Sequence, residues 1–134
     1  MTTADSSVWI DYFKGRMSPQ TKLLEQYLDD PARDFVLLDV VLMEVLRGIR
    51  DENEYLLTYE SLMPLVVEGA GGKDIAIASS SIYRNLRKNG ITVRSSIDLL
   101  VAAWCMKNQC DLIHNDRDFD AIASCHSLKV LKTL

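Results

Sequence analysis

Three cysteines, Cys105, Cys110 and Cys125, are all that the 134-residue chain carries, an odd number with no CxxC spacing. Neither a disulfide framework nor a zinc knuckle is therefore indicated, and a reducing cytoplasm is the expected setting. No run approaches the roughly 20 apolar residues of a membrane span, and no basic region followed by an apolar stretch opens the chain, so neither membrane insertion nor export is expected. Positive charge is also short. A net charge of −4 and a pI near 5.1 argue against binding nucleic acid by bulk electrostatics, which leaves local basic patches or metal ions bridging to phosphate. Gly69, Gly71 and Gly72 fall together, but without the GxxxxGK[ST] pattern of a phosphate-cradling loop. No linker and no internal repeat is visible.

What is present suffices for one core: a 48% hydrophobic content over this length predicts a single domain over residues 1–134. A short strand is expected at residues 2–5. Ser6 or Ser7 then caps a helix carrying Val8, Trp9, Tyr12 and Phe13, which Gly15 ends. Ser18 and Pro19 start a second helix, with Leu23, Leu24, Tyr27 and Leu28 on its apolar face. Phe35 to Leu38 reads as a buried strand. Asp39 caps a helix whose Leu42, Val45, Leu46 and Ile49 fall at i, i+3, i+4 and i+7. A helix from Asp51 to about Met63 carries Tyr55, Leu56, Tyr59 and Leu62, followed by a strand at Leu65–Val67. Ile75, Ala78, Ile82 and Leu86 define the next helix, closed by Asn89 and Gly90. One more helix begins near Ile97, a strand runs from Leu112 to His114, and a short helix and a strand at Leu128–Leu131 end the chain. Apolar strands without alternation, separated by amphipathic helices, predict a three-layer α/β/α sandwich on a mainly parallel sheet.

Acidic residues recur where such a fold gathers its ligands, beyond the carboxyl ends of the strands. Asp5 and Asp116 follow predicted strands, and Asp98 lies in a first helical turn. Glu44 points away from the stripe of its helix, and Gly48 leaves room one turn later. Acidic side chains without His or Cys companions select a hard divalent cation, Mg²⁺ or Mn²⁺, which suits phosphodiester hydrolysis. Taken singly, each has a plainer reading. Asp98 favours a helix dipole, Glu44 and Arg47 have ion-pair spacing, and Asp5, Asp116, Asp118 and Asp120 include candidate caps or turn residues. Ser7 is most simply a cap, and His114 and His126 structural. The case rests on the joint arrangement.

Four blocks carry that arrangement in order: Asp5 Ser6 Ser7 Val8 Trp9 Ile10 Asp11; Glu44 Val45 Leu46 Arg47 Gly48; Ser96 Ile97 Asp98 Leu99 Leu100 Val101 Ala102 Ala103; and His114 Asn115 Asp116 Arg117 Asp118 Phe119. With them the chain resembles, over nearly its whole length, the PIN-domain ribonucleases, and among these the VapC-type toxins of toxin–antitoxin pairs. The resemblance implies a Mg²⁺- or Mn²⁺-dependent endoribonuclease with Asp5, Glu44, Asp98 and Asp116 as its acidic quartet. Asp118 would assist the metal, with Ser7 and Asn115 in support. It further implies RNA hydrolysis by metal-activated water, a homodimer, and a small antitoxin whose tail blocks the active-site groove. Arg47, Arg84, Arg87, Lys88 and Arg94, with Arg50, would supply a basic rim for RNA, although Arg84, Arg87 and Lys88 read equally as the solvated side of a helix. One departure stands out: Met1 Thr2 Thr3 Ala4 replaces the usual aliphatic run before the first Asp. Two other readings are weighed, a catalytically inactive interaction module of the same fold and a receiver-type phosphoacceptor. The second expects adjacent acidic residues after the first strand and a late-strand Lys, which Asp5 Ser6 Ser7 and His114 Asn115 Asp116 do not match.

Overall fold

The computed structural model describes residues 1–134. Eleven elements follow in order: β1 (Thr2–Ala4), α1 (Ser6–Phe13), α2 (Pro19–Asp29), β2 (Leu37–Leu38), α3 (Asp39–Arg47), α4 (Glu52–Leu62), β3 (Val67–Glu68), α5 (Lys73–Lys88), α6 (Ser96–Lys107), β4 (Asp111–Ile113) and α7 (Arg117–Cys125). Every strand pairing is parallel. β1 lies beside β4 with Ala4 opposite Ile113, and β2 lies beside β3 with Leu37 opposite Val67. Bridges from Thr2 to Phe35 and from Leu112 to Val130 join these pairs into one sheet, in the order β3, β2, β1, β4, with Val130 at the far edge. The last strand expected at Leu128–Leu131 is reduced to that single bridge.

Parallel pairing with helical crossovers requires both faces of the sheet to be covered, and they are, by α1 and α2 in one group and by α5, α6 and α7 in another. The architecture is the layered α/β fold that the sequence predicts. Its 28-residue apolar cluster includes Leu37, Leu38, Leu112 and Ile113 from the strands and Trp9, Leu24, Leu86 and Phe119 from the helices. The polar β1 is buried throughout, Thr2, Thr3 and Ala4 each exposing 3% or less of their surface. Threonine's branched Cβ fits a pleated strand, but the Thr3 hydroxyl is left without a hydrogen-bond partner.

Local chemistry sets the helix ends. Ser18 closes a capping box with Thr21, and Pro19 opens α2. Gly15, at φ +70°, supplies the left-handed turn that ends α1. Asp39 does not cap α3: Leu38 holds that position, and Asp39 Oδ1 instead accepts the N–H of Ala70 at 2.9 Å. This fastens the loop after β3 to the start of α3. The α3 stripe is also shifted, because the helix stops at Arg47; Val41 and Val45 are its buried residues, while Ile49 lies beyond it. In α4 the expected face of Tyr55, Leu56, Tyr59 and Leu62 is packed only in part, Leu62 being buried and Tyr55 half-buried. Thr58 and Leu62 turn inward, whereas Leu56, Leu57, Tyr59 and Met63 are exposed. The third strand falls two residues later than expected, at Val67–Glu68, with Val66 O accepting from Leu37 N–H at 2.9 Å.

Candidate metal centre

Parallel strands end on one edge of the sheet, so residues that follow β1, β2 and β4 are delivered to the same side. Asp5 follows β1 directly, and its N–H donates to Ile113 O at 3.0 Å, continuing the β1–β4 pairing by one residue. Its carboxylate, rather than Ser6 or Ser7, is the N-cap of α1, with Val8 N–H donating to Oδ1 at 3.4 Å. Ser7 Oγ–H lies 2.9 Å from each carboxylate oxygen, a donor shared between them. Asp5 is only 4% exposed. Burial, opposed by the Ser7 and Val8 hydrogen bonds and reinforced by the nearby Asp98 charge, lifts its pKa from 3.8 to about 7.

Asp98 sits at the third position of α6, its N–H donating to the Ser95 side chain at 3.2 Å. Asp116 caps α7, accepting from Asp118 N–H on Oδ1 at 2.9 Å. Carboxylate oxygens of Asp98, Asp116 and Asp118 all lie within 4.8 Å of one another, and all three residues are half-buried. Desolvation, then the charges of Asp116, Glu44 and Asp118, raise the pKa of Asp98 to about 7. Glu44, half-buried on α3, therefore faces Asp98 closely enough to act on it, and it makes no ion pair with Arg47, which is exposed. The structure thus gathers Asp98, Asp116 and Asp118 tightly and sets Asp5 and Glu44 around them within electrostatic reach of Asp98. Asp120 is exposed, one turn into α7.

Such a set fits a hard divalent cation. Three oxygen donors converge, no Lys or Arg is paired with any of them in the structure, and burial together with the neighbouring carboxylates holds Asp98 above its ordinary pKa. Around them, Thr92, Arg94, Asp116, Arg117 and Asp118 line a wholly polar depression of about 500 Å³. Arg94 was expected at the rim; Arg117 was not, although its place between two acidic residues of one block was the available signal. Arg84, Arg87 and Lys88 are exposed on α5 and do not line this depression, and Asn115 is exposed with no hydrogen bond to the rest of the chain. The largest groove, about 860 Å³, lies away from these carboxylates, bounded by Ile10 and Phe13 of α1, Val45 of α3 and Leu57 of α4.

His114 takes part in the site's framework, which its place at a strand end alone did not disclose. Its Nδ1 accepts the N–H of Asp116 at 3.1 Å, its ring packs on Phe119 with centroids 5.2 Å apart, and burial lowers its pKa. The neutral ring then carries its proton on Nε2, which is 3.4 Å from Asp120 Oδ1 but outside hydrogen-bonding geometry. Cys105 and Cys110 are buried and Cys125 is exposed, all free, and no helix is long and apolar enough to cross a membrane.

Comparison with known proteins identifies the family. A family model described as the PIN domain matches residues 3–124. The chain is 33% identical over 134 residues to the VapC ribonuclease Mb1587 of Mycobacterium bovis, covering 96% of each protein. It stands in the same relation, 33% identity and 96% coverage of both, to ribonuclease VapC11 of Mycobacterium tuberculosis. Among solved structures, the DNA-bound VapBC of Salmonella typhimurium superposes with a TM-score of 0.76 at 16% identity, over 98% of both chains. VapBC2 of Rickettsia felis bound to a promoter DNA fragment superposes with a TM-score of 0.77 at 11% identity, over 97% of this chain and 96% of that one. At these identities the superpositions speak to the fold.

Proposed function

Because the chain belongs to the PIN-domain family, and within it to the VapC group, we propose that it is a metal-dependent endoribonuclease, the toxin of a toxin–antitoxin pair, acting as one nuclease domain over residues 1–134. The observation that carries this reading is the convergence of Asp98, Asp116 and Asp118 within 4.8 Å, with Asp5 and Glu44 beside them. These carboxylates would hold Mg²⁺ or Mn²⁺. When bound, such an ion acidifies water near neutral pH and neutralises charge on a phosphoryl oxygen.

The chain's own residues do the rest. Ser7 holds both oxygens of Asp5, so that carboxylate is fixed before any ligand arrives. Asp98 and Asp5, with pKa values near 7 in the ion-free site, would release their protons on taking a cation, so binding is favoured as pH rises. Arg94 and Arg117, flanking Asp116 and Asp118, draw the phosphate backbone to an otherwise repulsive site. Arg47, Arg84, Arg87 and Lys88, all exposed, extend this attraction over longer range. The exposed apolar residues of α4 and the 860 Å³ groove beside it give a small antitoxin and a second copy of the chain surfaces to cover. A cytoplasmic location accords with three free cysteines.

The test uses purified protein freed of any partner. RNA cleavage is expected with Mg²⁺ or Mn²⁺, none with a chelator, and none from Asp98→Asn or Asp116→Asn with the fold intact by circular dichroism. Full activity in either variant would refute the assignment.

A further inference from the structure

Next to the carboxylates lies a second depression, of about 590 Å³, between α5 and the start of α6. Tyr83, Leu99 and Leu100 give it an apolar side, while Thr92, Arg94 and Ser96 give it a polar one. It shares Thr92 and Arg94 with the acidic depression, so the two adjoin. It is also free of carboxylates. Every other sizeable groove carries at least one: Asp51 and Glu54 beside α4, Asp116 and Asp120 beside His114, Glu25 beside α2. In a chain of net charge −4, this is the path away from the metal centre that does not repel a polyanion.

Its rim has unspent hydrogen-bonding capacity. From Thr92 to Arg94 the backbone N–H and C=O groups make no hydrogen bond within the protein, and neither do the Thr92 and Ser96 hydroxyls. The segment is nevertheless held in place, since Val93 is only 1% exposed. Tyr83 is steadied by its hydroxyl, which accepts from Arg87 Nη1 at 3.4 Å. An aromatic face, an apolar floor, free main-chain groups and one arginine at the mouth are the parts from which proteins build single-strand nucleotide sites.

We propose that this groove is a subsite for single-stranded RNA, seating the nucleotide adjoining the scissile phosphate with its base against Tyr83 and its phosphate at Arg94. The proposal rests on the nuclease reading above. Stacking on Tyr83 accepts any base, and the free groups of residues 92–94 and Ser96 supply preference among them. A base locked in an A-form helix cannot enter, so duplex RNA is a poor substrate.

The experiment is an abasic walk. An RNA oligonucleotide containing a site that the wild-type protein cleaves is made with one abasic position at a time, and kcat/KM is measured. One position next to the cleaved bond should lose about 10-fold or more, the scale of a base–aromatic stack. Tyr83→Leu should flatten that dependence with an unchanged circular dichroism spectrum. Ser80→Trp, which fills the groove from an exposed position on α5, should do the same should Tyr83→Leu fail to fold. A flat walk beside the cleaved bond in wild type, or a wild-type profile in both variants, overturns the subsite while leaving the nuclease. If wild-type protein cleaves no RNA at all, the nuclease reading falls, and photo-crosslinking of a 4-thiouridine oligouridylate decides the subsite: attachment to Tyr83 or to residues 92–96 sustains it, attachment elsewhere overturns it.

Discussion

Asp5→Asn should make the metal-free protein more stable, by an amount that grows from almost nothing near pH 4 to its full size above pH 7. Asp5 is 4% exposed, and its pKa rises from 3.8 to about 7 on folding. The folded state therefore holds the proton more tightly than the unfolded chain does. Below pH 3.8 the carboxyl is neutral in both states and costs nothing. As pH climbs towards 7 the unfolded chain releases the proton first, and the penalty grows until the folded state ionises too. At about 1.36 kcal/mol per pH unit, the full penalty approaches about 4 kcal/mol. Asparagine keeps an oxygen for the Val8 N–H and the Ser7 hydroxyl, and it is as good an N-cap, so the substitution removes the charge and little else. For a chain of this length, 1 kcal/mol is worth about 3–5 °C in Tm, giving a gain on the order of 10 °C at pH 8 after local relaxation. Thermal denaturation of both proteins in EDTA from pH 4 to pH 9 measures it. The difference should vanish near pH 4 and level off above pH 7. A variant less stable at pH 8, or a gain independent of pH, would refute the account of Asp5.

Divalent cation should narrow that gap. Mg²⁺ or Mn²⁺ at about 100-fold over its Kd adds roughly 2.7 kcal/mol to the wild type at pH 8; the gain in Tm should shrink below pH 6, where Asp5 and Asp98 hold protons the cation must displace, and Asp5→Asn should gain less. His114→Leu leaves the Asp116 N–H without its acceptor and should weaken the cation-induced shift, whereas His114→Asn, whose amide oxygen can accept from the N–H two residues on, should restore most of it; equal responses in the two variants would discount the ring's role. Thr3→Val removes a buried hydroxyl that has no partner and should stabilise by about 1 kcal/mol or more, read as a higher denaturation midpoint at unchanged slope. With a thiol reagent, Cys125 alone should react quickly in the native state, Cys105 and Cys110 being buried; burial and the neighbouring Cys110 thiol also keep the Cys105 proton in place. Rapid modification of more than one thiol would contradict that packing.

Much of the frame was legible because its signals are local. Ser18 and Pro19 announce α2, Gly15 and Gly90 punctuate the helices before them, and short apolar runs mark β2 and β4. Asp5, Asp98 and Asp116 could be singled out because each sits beside a strand end or helix start, and parallel pairing places such ends together, whereas Glu44 stood out only by pointing away from the apolar stripe of its helix. Other features depend on contacts between distant segments. Asp39 has the look of a cap, but Ala70, far along the chain, claims its oxygen. The aromatic face of α4 obeys helical periodicity yet stays in solvent, since Thr58 and Leu62 suffice to dock that helix; periodicity says that a face exists and not what covers it. His114 was hidden for a third reason: its contribution is a bond from its ring to the main chain two residues on, which residue type alone does not reveal. Polar β1 was the opposite case. Its composition spoke against burial, and the branched Cβ atoms of Thr2 and Thr3 carried it into the core at the expense of one hydroxyl.

The pairing of β1 with β4 also makes the acidic cluster depend on segments far apart in the chain. Asp5 leaves the ribosome long before Ile113, whose carbonyl fixes its position, and long before Asp116. The far side of β4 is flanked only when Val130 reaches Leu112. The two sides of the acidic cluster therefore stay apart until β4 has been made, and contacts this remote in sequence form slowly.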